Sequence, residues 1–220
     1  MASRDNKTET RRPGPRLYLI SPEIADPAAG AEVLATALAN TEVAAVLLRL
    51  AGRDERSLIN IGKKLAPQIQ STGAAVLIAG HPEVVARIGA DGAHLNGIDA
   101  FNAARADLQP ERIAGCGGLR SRHDAMLAGE AGADYVLFGD SDPAGWRPSL
   151  EAIEERVRWW AEIFEPPCVA VAGALPEIDR LVAAGADFIA CADCIFTDPR
   201  GPGVALAEAA QRLVLREATA

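Results

Sequence analysis

Three arginines and four aspartates stand at the ends of short apolar runs or in the loops that follow them: Arg49, Arg120 and Arg147 against Asp99, Asp140, Asp142 and Asp193. A guanidinium offers a planar fork of N–H donors that matches phosphate or carboxylate oxygens. Carboxylates hold divalent cations or a cationic ligand. Gathered on one rim, such a set would serve a metal, a cation or a diphosphate. Each residue also has a plainer role open to it. Arg49 could clamp phosphate or pair with Asp99 or Glu23 across the rim. Asp99 could bind a metal or simply cap the helix that begins near Asp99-Ala100-Phe101-Asn102. Cys191 and Cys194 have redox or zinc spacing, but no second such pair and no histidine pair accompanies them. His81, His94 and His123 share no metal-binding spacing; His94 reads as a partnered core residue and His123 as solvent-exposed. Of Trp146, Trp159 and Trp160, only Trp146 falls in a loop that could cover a ligand ring, while the other two suit a core or an interface.

The elements that must position these residues follow from the spacing of apolar runs. Strands are expected at Leu17–Ser21, Ala44–Leu48, Ala75–Ala79, Gly92–Leu95, Ile113–Gly115, Tyr135–Phe138, Cys168–Ala172 and Phe188–Ala190. Helices are expected between them at Gly30–Ala39, Glu55–Ser71, Pro82–Ile88, Ala100–Ala106, Ser121–Ala131, Leu150–Ile163 and Pro176–Ala184, with a last one at Val204–Leu215. Gly-Ala-Asp recurs at Gly89-Ala90-Asp91, Gly132-Ala133-Asp134 and Gly185-Ala186-Asp187, each time between a helix and the next strand, where glycine supplies a left-handed helix terminus. Repeated strand–helix units predict an α/β protein with a parallel sheet, closed as a (β/α)₈ TIM barrel. A doubly wound open sheet is the runner-up, but Ser21-Pro22-Glu23-Ile24 follows the first strand in place of its glycine-rich phosphate fingerprint. One barrel domain is expected over residues 17–220, preceded by a polar, disordered arm over residues 1–16.

Composition limits the partners. The 220 residues are 49% hydrophobic and 24% charged, enough for one sizeable core. A net charge of −8 repels a phosphate backbone, so nucleic acid is not expected as a partner. No run of about 18 apolar residues or secretory signal occurs, so no membrane partner is expected and the predicted location is cytoplasmic. Four cysteines without such a signal read as reduced.

Leu17-Tyr18-Leu19-Ile20, Leu47-Leu48-Arg49, the stretch Gly89 to Leu95, the stretch Gly132 to Gly139 and Gly185-Ala186-Asp187 occur in this order. Together they resemble the thiamine phosphate synthase/TenI family over roughly Leu17 to Leu215, as a divergent member. The resemblance implies transfer of an aminopyrimidine diphosphate onto a thiazole phosphate, giving thiamine phosphate and pyrophosphate with Mg²⁺. By the same resemblance, Arg49 and Arg147 fall on the diphosphate, Asp99 on Mg²⁺ and the Gly173 N–H on the thiazole phosphate. Arg120 stands where the tautomerase branch carries a histidine, Asp193 where a serine follows strand eight, and Gly80 where a second metal carboxylate is usual. Arg120, Asp193 and Trp146 are the further substrate-binding candidates. Two other readings stay open: a member without turnover that binds a phosphorylated or thiamine-related small molecule, and a different isomerase or lyase on the same barrel. The expected partner is a small phosphorylated molecule, and homo-oligomerisation is left open.

Overall fold

The apolar runs form eight parallel strands in a computed structural model that describes residues 14–52, 54–142 and 144–217. The strands are β1 (Arg16–Ile24), β2 (Ala45–Leu50), β3 (Ala75–Ala79), β4 (Gly92–Asn96), β5 (Ile113–Gly117), β6 (Tyr135–Phe138), β7 (Cys168–Ala172) and β8 (Phe188–Cys191). They pair in sequence order, and β1 pairs with β8, so the sheet closes as a barrel. The open-sheet alternative is thereby removed. The helices are α1 (Pro27–Leu38), α2 (Glu55–Gln70), α3 (Val85–Ile88), α4 (Ile98–Leu108), α5 (Arg122–Glu130), α6 (Leu150–Ile163), α7 (Glu177–Ala183), α8 (Asp193–Phe196) and α9 (Pro202–Glu217), with a 3₁₀ turn at Pro82–Val84 leading into α3. Up to residue 13, the arm expected at the start of the chain lies outside the described residues. No helix among the described residues is long and apolar enough to cross a membrane.

Several strands run beyond the apolar segments that announce them. The β1–β2 ladder passes a bulge between Ile20 and Glu23 and resumes with Glu23 opposite Arg49, which puts Arg49 inside β2. Backbone pairing needs no apolar side chain, so hydropathy alone marks these ends too early. Inside the barrel, Tyr18, Leu47, Leu77, Tyr135, Leu137, Val169 and Val171 fill the lumen. A Cβ on Gly115 would stand 2.0 Å from the Tyr135 ring, so glycine at that position makes room for the tyrosine. Between strands and helices lies a second, larger core that includes Leu19, Leu48, Ile78, Phe101, Phe138 and Trp160.

The three Gly-Ala-Asp repeats have one structural role. Gly89, Gly132 and Gly185 take φ values of 81°, 86° and 96°, which end α3, α5 and α7 in the left-handed region. The aspartate of each then accepts a hydrogen bond from a backbone N–H near the start of the preceding strand: Asp91 from Val76 at 2.7 Å, Asp134 from Ala114 at 2.8 Å and Asp187 from Cys168 at 2.8 Å. These clamps sit at the strand N-termini and leave the opposite rim to the loops.

Candidate functional site

The C-terminal rim carries a pocket of about 520 Å³ above β4, β5 and β6, lined by Asn96, Gly118, Arg120, Asp140, Trp146 and Arg156 among others. Its floor is held by charge. Asp140 accepts a hydrogen bond from the Gly118 N–H at 2.9 Å, which ties the β6 loop to the end of β5. Burial raises the Asp140 pKa, opposed by the Gly118 N–H and by Arg156. From the body of α6, Arg156 donates to the Leu119 carbonyl at 2.8 Å and the Arg120 carbonyl at 2.6 Å, fixing the loop after β5. Asp142 accepts from the N–H groups of Ala144 and Trp146, both at 2.9 Å, and thereby folds the loop that presents Trp146. The Trp146 side chain is exposed beside the pocket.

A neighbouring arc of the rim is built from β7, β8, β1 and β2. Arg49 donates its Nε–H to the Ser21 carbonyl at 2.6 Å, and its Nη2 stands 3.8 Å from Asp193 Oδ1. Both side chains are solvated, with 42% and 82% exposure, which makes this a loose pair. Arg147 is better held: it donates from Nε to the Gly139 carbonyl at 3.2 Å and from Nη2 to the Val171 carbonyl at 2.7 Å. Its Nη2 also lies 2.8 Å from Glu177 Oε2, which in turn accepts the Gly173 N–H at 2.8 Å.

The expected residues thus divide into three groups. Arg120 and Trp146 border the pocket, Arg49 meets Asp193, and Arg147 meets Gly173 through Glu177. Asp99 stands exposed in the first turn of α4 and does not line the pocket. Nor does it cap that helix, whose N-cap is Gly97. Arg49 pairs with Asp193, not with Asp99 or Glu23. Two residues that shape the rim, Arg156 and Glu177, lie within helices, where a sequence read by its strand ends passes over them. Neither carries a local signal that separates it from a solvated helix residue.

No group of three or more His, Cys, Asp or Glu side chains able to hold a metal occurs among the described residues. Gly80 has no carboxylate to offer beside Asp99, so the donor set does not fit a resident magnesium ion held by two protein carboxylates. His94, buried in the lumen, lies 2.9 Å from the Tyr135 hydroxyl through Nδ1, and His123 is exposed on α5, each as expected. Cys191 is buried at the end of β8. Beside it the Cys194 thiol donates to the Ala172 carbonyl at 3.6 Å, and the neighbouring Cys191 thiol lowers the Cys194 pKa.

Comparison with known proteins extends over nearly the whole barrel. A family model described as thiamine monophosphate synthase matches residues 17–195. A thiamine-phosphate synthase of Rhodospirillum centenum is 40% identical over 196 residues, covering 88% of this chain and 95% of that protein. One from Hyphomonas neptunium is 37% identical over 209 residues, covering 90% and 95%. Among solved structures, a thiamine phosphate pyrophosphorylase from Pyrococcus furiosus superposes with a TM-score of 0.77 at 24% identity, covering 91% of this chain and 96% of that one, which is a likeness of fold. Eight paired strands, a charged C-terminal rim and relatives matched almost end to end agree on one origin, and the chain belongs to the thiamine monophosphate synthase family.

Proposed function

We propose that this protein forms thiamine phosphate by joining an aminopyrimidine diphosphate to a thiazole phosphate with release of pyrophosphate. The observation that carries this is the 40% identity to a thiamine-phosphate synthase across 95% of that enzyme. The rim supports it with three arginines and a pocket of about 520 Å³, a volume in the range of small-molecule sites. The reaction passes through a loose, cation-like transition state in which the departing diphosphate gathers negative charge. Groups that meet that charge without reorganising lower the barrier.

In this assignment Arg49 and Arg147 bind the diphosphate, and the Gly173 N–H takes the thiazole phosphate. Arg147 is suited to its role because the Gly139 and Val171 carbonyls already fix its guanidinium. Arg120 and Trp146 border the pocket for the ring, with Trp146 as its cover. Asp193 balances Arg49 until the substrate arrives. The residues present do not make a resident magnesium site, and the chain's own contribution to the leaving group is its arginines and backbone N–H groups. A cytoplasmic location and small phosphorylated partners accompany this function.

The test is pyrophosphate release by the purified protein supplied with both substrates and Mg²⁺. Turnover is expected, with Arg49→Ala lowering it by about 10²-fold, the scale for losing one charge-stabilising donor. Absence of turnover in the unaltered protein would overturn the assignment. Turnover that survives Arg49→Ala unchanged would remove Arg49 from the site.

A further inference from the structure

Glu177 occupies a position that an anion from outside would claim. One of its carboxylate oxygens, Oε2, accepts both the Gly173 N–H and the Arg147 Nη2–H at 2.8 Å, and its Oε1 lies 3.4 Å from Arg147 Nη1. Oxygens of a diphosphate on Arg147, or of a thiazole phosphate on the Gly173 N–H, would ask for these same three donors. Both side chains are about one-fifth exposed, at 23% for Arg147 and 20% for Glu177, so their attraction is screened less than that of a surface pair. Asp193, at 82% exposure and 3.8 Å from Arg49, has no comparable hold on its arginine.

The anchoring of Arg147 does not depend on Glu177. Its Nε and Nη2 reach the Gly139 and Val171 carbonyls, one at the end of β6 and one within β7. Removing the carboxylate would leave the guanidinium where it is and free a backbone N–H beside it. Gly173 is exposed, so a ligand can reach this turn from solvent.

We infer that Glu177 is a resident anion at the β7 turn, which a phosphate group must displace in order to bind there, and that it sets the affinity of this chain for phosphorylated ligands. The inference deepens the proposed synthase site and rests on that reading for its biological ligand. It has a consequence for anions of any origin. Every phosphate that binds at the turn works against the ion pair it replaces, so affinity is held down while the empty site stays organised.

Calorimetric titration of the full chain with orthophosphate, and separately with pyrophosphate, tests this. Glu177→Gln and Glu177→Ala are each expected to bind orthophosphate roughly tenfold more tightly than the unaltered protein, the effect of removing one partly buried like charge. The gain is expected to vanish when Arg147→Gln is added. A merely structural Glu177, needed to orient Arg147, would give weaker binding in both single variants. Unchanged or weaker binding overturns the inference, as does a gain that persists without Arg147. If the alanine variant does not fold, the isosteric glutamine variant carries the test, with its ligand-free thermal midpoint as the control. Equilibrium binding requires no turnover, so failure here is distinct from failure of the pyrophosphate-release assay.

Discussion

His94 shows how one side chain is governed by its surroundings. It lies in the lumen with the Tyr135 hydroxyl 2.9 Å from Nδ1, and that hydroxyl is itself 2.9 Å from the hydroxyl of Tyr18. Burial presses its pKa from 6.5 down to about 4, while a hydrogen bond to Asn96 works the other way. The unfolded chain therefore binds a proton that the folded chain refuses between these two values. Stability from this group is complete above pH 6.5 and is lost as pH falls toward 4. The loss amounts to about 3 kcal/mol by pH 4. In urea titrations at pH 7, 5 and 4, His94→Asn should start less stable but lose less on acidification, by about that amount. The buried, partnered character of His94 was legible from its place within a short apolar strand. Arg156 and Glu177 were not, because a charged residue on a helix looks the same in sequence whether it meets water or reaches over to a strand-end loop.

Among the elements, the Gly-Ala-Asp repeats were half legible. Their glycines announced helix ends, and Gly89, Gly132 and Gly185 do take left-handed φ values. Their aspartates gave no local hint, since each one bonds to a strand 15 to 20 residues back in the chain. Only the docking of one strand against the next brings the two together. Ala114 is fully buried, so its N–H has no water to fall back on when Asp134 is removed. Asp134→Ala should destabilise the fold by about 2 kcal/mol, the cost of an unsatisfied buried donor, and Asp134→Asn should recover most of it because an amide oxygen still accepts. Chemical denaturation of the two variants side by side checks this. The short helix α8 was missed altogether. Four residues carry no periodicity to detect, and its first residue, Asp193, reads in sequence as a loop carboxylate.

For the molecule as a whole, closure decides stability. The β1–β8 pairing joins the first strand to the last, and α9, whose Ala205, Leu206 and Ala209 are fully buried, packs against α1, α7 and α8 over the seam. Leu206→Ala should cost about 3 kcal/mol, as expected for a buried leucine whose cavity cannot fully collapse. With all eight strands in one closed sheet, the variant is expected to unfold in a single transition at a lower midpoint, measurable by calorimetry. The count of strands and helices foretold this architecture, since eight alternating units leave few ways to bury every apolar face. The three aspartate clamps fasten neighbouring strands only where those strands begin. Seen as a piece of engineering, the barrel has a sewn hem below and an open collar above. Loops on the collar can be lengthened or shortened without pulling a stitch of the hem, and apart from the ties that Asp140, Arg147 and Arg156 make there, that is where this scaffold can be refitted for a new ligand.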